Sequence, residues 1–512
     1  MTETRRIFWN VIATYGRSVF ALFCGIFSSR WVLMSLGAED YGLFGVVGGL
    51  VVFISFLNNT LSAANSRFYS VAIGQARVVS KGAGVENCQR WFNTALSIHT
   101  VLPLCLMAIG YPLGVWAVRN YLNIPNARLE SCVWVFRLTC LSCLVNMMSV
   151  PFGAMYRAKQ LIAELTIYGY ATTLINVCML YYMVTHPSDW LVKYAALVSF
   201  LAIIPQIFIV VRAWLTFPEC KIRKAYLFSI DKVRQVLSFA GWEMLGAVCQ
   251  LLRVQGVAIV VNKAFGARVN AAMTLGNSVD ANATSLSSSL VGAFQPAIAN
   301  AYGEGDMEKM RKFAYRTCKF SALLQLVFII PLVAELSYIL ELWLKEPPPY
   351  TGFLCVVALA SHFFTSVTQG HYSACSACGK IKEYQVNMSF ITMLTLPAVI
   401  VVVWAGGGVY AMGAVLVAAM CCLALRRVVY AGRIAGLSAR YWLSKVFLPV
   451  SIVGGASFCV SWLPKIFMSS GIWRLTVCVA LCEMVLLPAT WLFVLDAQEK
   501  EFVLKKLRLG RR

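Results

Sequence analysis

The chain has 512 residues, of which 59% are hydrophobic and only 13% are charged. A soluble domain carries roughly 25% charged residues, and the mean hydropathy of this chain is +0.71, so its composition argues against a soluble protein. A helix that spans a bilayer needs about 20 apolar residues, and this chain has room for about fourteen such helices. Most of its 18 cysteines lie inside apolar runs, which does not favour a disulfide scaffold. The composition predicts an all-α integral membrane protein.

Apolar runs divide the chain into fourteen predicted spans with short connections. None of the connections reaches about 25 residues, so none has room for a soluble catalytic domain. The spans lie near residues 7–36, 41–70, 91–118, 131–156, 163–184, 190–211, 236–265, 271–301, 320–344, 352–374, 384–404, 409–424, 441–463 and 472–495.

The 44 lysines and arginines are unevenly distributed between the two sides of this map. Thirty lie at the termini and in the connections on the same side as the termini, whereas eight lie on the opposite side. Cytoplasmic loops carry such an excess of basic residues, so the pattern predicts that both termini are cytoplasmic. The net charge of +22 is then explained by topology, and we expect no nucleic-acid partner.

Two segments of the sequence repeat at a constant spacing. LGAEDYG at Leu36 is echoed by FGARVNA at Phe265, and Gly74 and Gly303 stand 229 positions apart, as Gly37 and Gly266 do. A chance match of a few glycines is the alternative, but the order of spans agrees with a repeat.

Six spans are an even number, so both copies enter the membrane in the same orientation and form a parallel repeat. We therefore expect a six-helix lobe at 1–211, a cytoplasmic linker at 212–235 and a second six-helix lobe at 236–424. Residues 425–512 would add two further helices and a basic cytoplasmic tail.

The seventh and eighth spans carry polar residues at membrane depth. Glu243, Gln250 and Arg253 share one face of the seventh span at helical spacing, and the eighth span carries Asp280 and Thr284 on one face. A charge at the bilayer centre costs roughly 2.5–3.5 kcal/mol, so such groups usually face a cavity or a partner. The alternatives are a water-filled lumen and a buried Arg253–Asp280 pair that only fixes helix packing.

In the first lobe, Arg17 lies about ten residues inside the first span. Arg30 lies roughly 140° further round the same helix, so the two side chains do not share a face. Arg17 is a candidate for the lumen. For Arg30 a lumen position and snorkelling to the outer headgroups are both open.

The second span is apolar at first and then becomes polar towards the cytoplasm. Asn58, Ser62 and Asn65 line one of its faces, and Arg67 follows. Arg67 alone is typical of an anchor at the inner interface, and Arg137 near the outer end of the fourth span fits snorkelling as well as lumen exposure. The polar stripe as a whole favours a wet lumen.

Arg17, Arg67, Arg137 and Arg253 would make this lumen basic. Guanidinium groups stay charged and form forked hydrogen bonds to phosphate and carboxylate groups, so we expect an anionic lipid headgroup as substrate. Asp280 and Glu243 are the candidates for exchanging a proton or a sodium ion. Among the four histidines, we single out only His371 as a candidate proton carrier.

We expect neither a metal nor a nucleotide cofactor. The pairs Cys140/Cys143 and Cys375/Cys378 have metal-like spacing, but each lies in or at the end of a predicted span with no completing histidine, which favours small-residue packing. No Walker A sequence is present.

The stretches LGAEDYGLFGVVGGLVVFISFLNNTLSAANSRFYS (Leu36–Ser70) and PFGAMYRAK (Pro151–Lys159) resemble the Wzx-type polysaccharide flippases, in the superfamily that includes the multidrug and toxin extrusion (MATE) transporters. The resemblance implies a MATE-like fold of two lobes in the bacterial cytoplasmic membrane. It also implies transport of an undecaprenyl-diphosphate-linked oligosaccharide, such as an O-antigen, lipopolysaccharide or capsule repeat unit, by alternating access. Membrane lipids, a polysaccharide polymerase and assembly proteins would be its partners.

Two other functions compete with this interpretation. A multidrug or organic-cation antiporter would favour an acidic, aromatic lumen over one that carries arginines. A polysaccharide polymerase, ligase or glycosyltransferase would need carboxylates or histidines at the membrane surface, usually in a long external loop, which this chain lacks. We therefore expect a transporter rather than an enzyme.

Overall fold

The computed structural model describes residues 3–49, 52–78, 81–122 and 124–501. Within these residues the regular structure is helical, with short 3-10 and π turns and no strand. An α-helix satisfies its own backbone hydrogen bonds, which suits long apolar segments that enter a bilayer. The helices are α1 (Glu3–Gly49), α2 (Val52–Val78), α3 (Lys81–Asn120), α4 (Leu129–Ala158), α5 (Ile162–Thr185), α6 (Leu191–Thr216), α7 (Ile230–Gly303), α8 (Met307–Ala334), α9 (Leu336–Leu344), α10 (Thr351–Ser366), α11 (Gln369–Cys378), α12 (Ile381–Trp404), α13 (Val409–Ala435), α14 (Ala439–Trp442), α15 (Leu448–Trp462), α16 (Pro464–Phe467) and α17 (Ile472–Ala489).

The chain is a multi-pass helical membrane protein. Among the described residues, ten helical segments are long and apolar enough to cross a membrane, or eleven if α10 and α11, which meet at a 43° bend, form one span. With α10 and α11 counted as one span, the predicted spans outside this set are the first, the second and the eighth. The second and eighth carry the polar stripes, which lower their hydropathy. The count of fourteen remains a prediction.

The repeat glycines Gly37 and Gly266 occupy equivalent breaks inside α1 and α7. Their backbone angles are φ 75°, ψ 168° and φ 84°, ψ 175°, a region that is essentially restricted to glycine. Each of the two predicted connections is therefore a one-residue kink between helical segments rather than an open loop. The matching geometry supports the internal repeat.

The described residues divide into two compact units. The first comprises Met1–Met244 with Gln295–Met307, and the second comprises Leu245–Phe294 with Glu308–Arg512. In the first unit α4 packs against α2, α3 and α6, and α1 packs against α5. One of its apolar cores surrounds the buried aromatic residues Tyr69, Phe92 and Tyr156.

In the second unit, α13 packs against α10, α11 and α12, and α15 packs against α17. Two buried ion pairs attach the last segments of the chain to this unit. Arg474 Nη2 lies 2.7 Å from Glu335 Oε2, and Lys319 Nζ lies 2.9 Å from Glu499 Oε2. The final helices are therefore fixed to the second unit by charge as well as by apolar packing.

Within the first unit, α2 crosses the last turns of α7 at very short range. A Cβ atom built on Gly74 would overlap the carbonyl oxygen of Asn300, and one built on Gly303 would overlap the carbonyl oxygen of Val71. Val71 and Asn300 are themselves 229 positions apart, so the crossing is symmetric under the repeat. Arg77 Nη1 and Glu304 Oε1, 2.5 Å apart, form an ion pair beside it.

Candidate transport site

The seventh predicted span places Gln250 and Arg253 together in α7. Arg253 Nε donates a hydrogen bond to Gln250 Oε1 at 3.2 Å, and Gln250 is exposed whereas Arg253 is partly buried. Gly246 on the same helix lies against Gln385 of α12, because a Cβ at this position would overlap the Gln385 amide. Gln250 and Arg253 are therefore neighbours on one face of α7.

Asp280, in the second half of α7, faces a histidine of α10. His362 Nδ1 lies 3.3 Å from Asp280 Oδ1 and 3.1 Å from Thr284 Oγ1. His362 is buried, whereas the Asp280 side chain is 39% exposed. The Asp280 Oδ1 atom is nevertheless buried and makes no well-aligned hydrogen bond among the described residues.

Arg253 and Asp280, the two charges predicted at membrane depth in this unit, interact electrostatically but do not form a direct ion pair among the described residues. Arg253 and Asp280 attract electrostatically. Within the described part of the chain, no N···O contact of 4.0 Å or less joins them. The Arg253 guanidinium is therefore not fully neutralised by a direct ion pair and keeps the capacity to bind an anion.

Arg17 lies in α1 against α5. A Cβ built on Gly169 would come within 2.6 Å of both Arg17 Cδ and Arg17 Nη1, and Arg17 is exposed. The glycine thus makes room for the arginine side chain on the neighbouring helix. Arg30 falls on α1 as well, but its side chain lies outside the described residues.

The polar stripe of α2 contacts α3 and α4 inside the first unit. Asn65 is buried, and its Nδ2 lies 2.9 Å from His99 Nε2, while His99 Nδ1 lies 2.8 Å from the carbonyl oxygen of Met147. Ser62 accepts a hydrogen bond from Arg157. Asn58 Oδ1 is buried and has no hydrogen-bond partner among the described residues. Part of this stripe is therefore a structural hydrogen-bonded network.

Arg67 and Arg137 lie against aromatic rings. The Arg67 guanidinium lies 4.7 Å from the ring centroid of Phe68 and 5.2 Å from that of Phe239. Arg137 donates a hydrogen bond to Tyr111 Oη at 3.1 Å and lies 4.9 Å from the ring of Trp134. Aromatic faces stabilise a cation without removing its charge.

Glu243 lies in the part of α7 that belongs to the first unit and is half-buried. Asp280 belongs to the second unit. The two acids predicted to exchange an ion therefore lie in different compact units.

Sequence reasoning missed three polar residues that the structure connects to the predicted ones. Among the histidines only His371 was a candidate from sequence, and His362, His99 and Arg157 were assigned no role. An isolated histidine within an apolar run is the one signal that could have drawn attention to His362 and His99. The predicted candidate His371 is instead buried beside Cys318, with His371 Nδ1 at 3.3 Å from Cys318 Sγ.

Comparison with known proteins places this geometry in a known fold. The family model MatE matches residues 244–382, and no curated protein matches the sequence. An outward-facing multidrug resistance MATE family transporter of the MOP superfamily is 16% identical, with a TM-score of 0.65, over 85% of this chain and 96% of that one. A MATE structure in the bent conformation is 15% identical with the same TM-score and coverage.

A third similar structure is a MOP superfamily transporter from Pyrococcus furiosus Vc1 (DSM3638), described as having a binding pocket of reverse polarity that suggests a different function. It is 13% identical, with a TM-score of 0.65, and covers 85% of this chain and 96% of that chain. The MatE model and these structures are those of transporters and not of enzymes. Residues 244–382 therefore match the MatE family model, and the chain has the fold of these MATE transporter structures.

Proposed function

We propose that this protein is a flippase for an undecaprenyl-diphosphate-linked oligosaccharide in the bacterial cytoplasmic membrane. It would work by alternating access between lobes at 1–211 and 236–424, with the linker at 212–235, the two additional helices and tail at 425–512, and both termini in the cytoplasm. The observation that carries the proposal is the state of Arg253. This guanidinium is partly buried, contacts the neutral Gln250, and has no direct ion pair among the described residues.

A diphosphate is the part of such a substrate that arginine recognises best. Forked hydrogen bonds to phosphate oxygens are stronger than neutral ones because both partners are charged. Arg17 and Arg253 are the first candidates for these bonds. Arg67 and Arg137 keep their charge against aromatic rings and would contribute to the positive field, whereas Asn58, Asn65 and Gln250 would offer uncharged polar groups. Arg30 remains a candidate on sequence alone.

Asp280 and Glu243 remain the candidates for coupling to H⁺ or Na⁺. A flippase of this class would supply its substrate to a polysaccharide polymerase and assembly proteins. The surrounding membrane lipids would also contact it.

The principal test is deletion of the gene followed by analysis of lipid-linked sugars. Repeat units should accumulate on the cytoplasmic leaflet, and surface polysaccharide should be lost. Complementation with Arg17→Ala or Arg253→Ala should fail although membrane levels match wild type. Arg119→Ala is a matched control, because Arg119 is exposed and pairs with the exposed Glu130, so it should restore surface polysaccharide.

The second candidate function is a multidrug or organic-cation antiporter, which the multidrug resistance transporter among the similar structures favours. The acid at position 280 is also compatible with a cationic substrate. The fold alone does not decide, since the Pyrococcus structure is described as having a pocket of reverse polarity. Normal surface polysaccharide combined with increased drug sensitivity in the deletion strain would favour the antiporter.

A further inference from the structure

A carboxylate, an imidazole and a hydroxyl meet where the second half of α7 faces α10. Asp280 Oδ1 and Thr284 Oγ1 lie 3.3 Å and 3.1 Å from the same atom, His362 Nδ1. Asp280 and Thr284 are one helical turn apart on α7, so they present their oxygens side by side. A single nitrogen atom of α10 therefore lies within reach of two oxygen atoms of α7.

The hydrogen bonding around this nitrogen changes with one proton. In the neutral tautomer of His362 whose Nδ1 carries no hydrogen, the Thr284 hydroxyl donates to Nδ1 and Asp280 Oδ1 has no donor, whereas in the other neutral tautomer the Nδ1 hydrogen is donated to Asp280 Oδ1. A buried carboxylate oxygen without a hydrogen-bond partner is unfavourable. When one proton is added between Asp280 Oδ1 and His362 Nδ1, whichever atom holds it donates to the other, and both atoms are satisfied.

The composition of the cluster favours a proton over a metal ion. Hard cations prefer several oxygen ligands, whereas this cluster offers one carboxylate, one hydroxyl and an imidazole. Among the described residues, no group of three or more His, Cys, Asp or Glu side chains could hold a metal ion. A proton needs only the two facing atoms.

Among the described residues, the charged group that acts electrostatically on Asp280 is Arg253, in the first half of α7. With Asp280 ionised and His362 neutral, the pair carries a charge of −1 and offsets the Arg253 charge. After one proton is taken up from water the pair is neutral, and the Arg253 charge is left for another anion.

We propose that Asp280 and His362 form a single proton-binding site whose occupancy controls how strongly Arg253 attracts an anionic headgroup. The proposal rests on the proposed flippase function only for the identity of that headgroup. It assigns His362 a role as positioning partner of Asp280. It also predicts that proton and anion binding favour each other, because coupled binding is reciprocal.

The proton site is tested without any substrate by infrared titration of the purified full-length protein in lipid nanodiscs. We expect one carboxylic acid band that appears as the pH falls, is absent in Asp280→Asn and shifts in His362→Gln. His186→Gln is the matched control, because His186 is exposed and outside this site, and it should leave the band unchanged. A titration identical in wild type, Asp280→Asn and His362→Gln would overturn the proposal.

The link to Arg253 is tested by binding of undecaprenyl diphosphate to the same nanodiscs between pH 5.5 and pH 8. Wild type should bind about tenfold more tightly at the lower pH, within the range usual for coupled sites. Asp280→Asn should bind tightly at both pH values. If Asp280→Asn keeps the wild-type pH dependence, the link to Arg253 is wrong.

The two tests separate this proposal from the proposed function. If wild type binds no undecaprenyl diphosphate at any pH but shows the Asp280 band and its shift in His362→Gln, the flippase function fails and the proton site stands. If the lipid binds and the band does not depend on Asp280 or His362, the proton site fails and the flippase function stands.

Discussion

At the scale of single residues, the proposed binding of a diphosphate depends on the geometry of Arg253 as well as on its charge. Lysine would keep the charge but lose the planar fork that fits a diphosphate. Gln250, the hydrogen-bond partner of Arg253, would remain in place. Shape and charge are therefore separable at this position.

Arg253→Lys should retain some transport, whereas Arg253→Ala should abolish it. Loss of one charge-assisted hydrogen bond, worth about 1.5–3 kcal/mol, corresponds to roughly a ten- to hundredfold lower rate. The measurement is the rate at which lipid-linked repeat units reach the outer leaflet at matched membrane levels. Equal rates for Arg253→Lys and wild type would show that the fork is not needed, and normal transport by Arg253→Ala would refute the basic site.

A substitution in the buried network of Asn65, His99 and Met147 should lower the stability of the protein rather than its affinity for the substrate. His99→Leu removes both ring nitrogens and leaves buried polar groups without partners, which costs about 1–3 kcal/mol. Thermal unfolding of the purified protein should therefore occur at a lower temperature. The control His186→Gln changes an exposed ring and should unfold like wild type. An unchanged unfolding temperature for His99→Leu would show that the network is unimportant.

The sequence predicted contacts between residues of the same helix but not contacts between different helices. Helical spacing sufficed to place Gln250 beside Arg253, because both are on α7. It did not find His362, because the contact with Asp280 joins residues 82 positions apart on different helices. Arg157 was missed for a related reason, since its partner Ser62 lies on α2.

At the scale of the helices, the repeat glycines were predicted from spacing alone, but their geometry was not. The sequence suggested separate spans joined by short connections at residues 37–40 and 266–270. The structure instead has a single glycine at the break in each of α1 and α7. Spacing does not contain backbone angles, so a one-residue kink and a short loop look alike in sequence.

Gly266→Ala should destabilise the protein, because alanine rarely adopts a φ of 84°. Such strain costs about 1–3 kcal/mol. Gly110→Ala is the control, since a Cβ at Gly110 meets nothing within 4 Å and alanine there should be neutral or slightly stabilising. The comparison is made by thermal unfolding, and equal unfolding temperatures for Gly266→Ala and wild type would contradict the positive-φ geometry.

Gly74→Ala tests the crossing of α2 with the end of α7. Its Cβ would meet the Asn300 carbonyl, a backbone atom that cannot rotate away, so the helices must separate. Gly303→Ala should have a similar effect by meeting Val71. A cysteine introduced at the buried Ala72 of α2 should be labelled faster in both variants than in the wild-type and Gly110→Ala backgrounds. No increase in labelling would mean that the helices do not cross at this range.

At the scale of the whole molecule, the all-helical membrane architecture followed from the apolar spans, and the MATE-like fold was implied by the resemblance of Leu36–Ser70 and Pro151–Lys159 to known flippases. The fold does not identify the substrate, because one structure of this fold is described as having a binding pocket of reverse polarity that suggests a different function. We expect substrate specificity to depend on dispersed side chains such as Arg17 and Arg253, whose arrangement in space does not follow from composition. The chemistry of the substrate therefore has to be measured directly.

The most direct measurement is translocation of an undecaprenyl-diphosphate-linked oligosaccharide by the purified protein in sealed vesicles. The account predicts that wild type moves the lipid between leaflets, that Arg253→Ala does not, and that Arg119→Ala behaves like wild type. Vesicles in which wild type moves an organic cation but leaves the lipid-linked oligosaccharide in its original leaflet would contradict it.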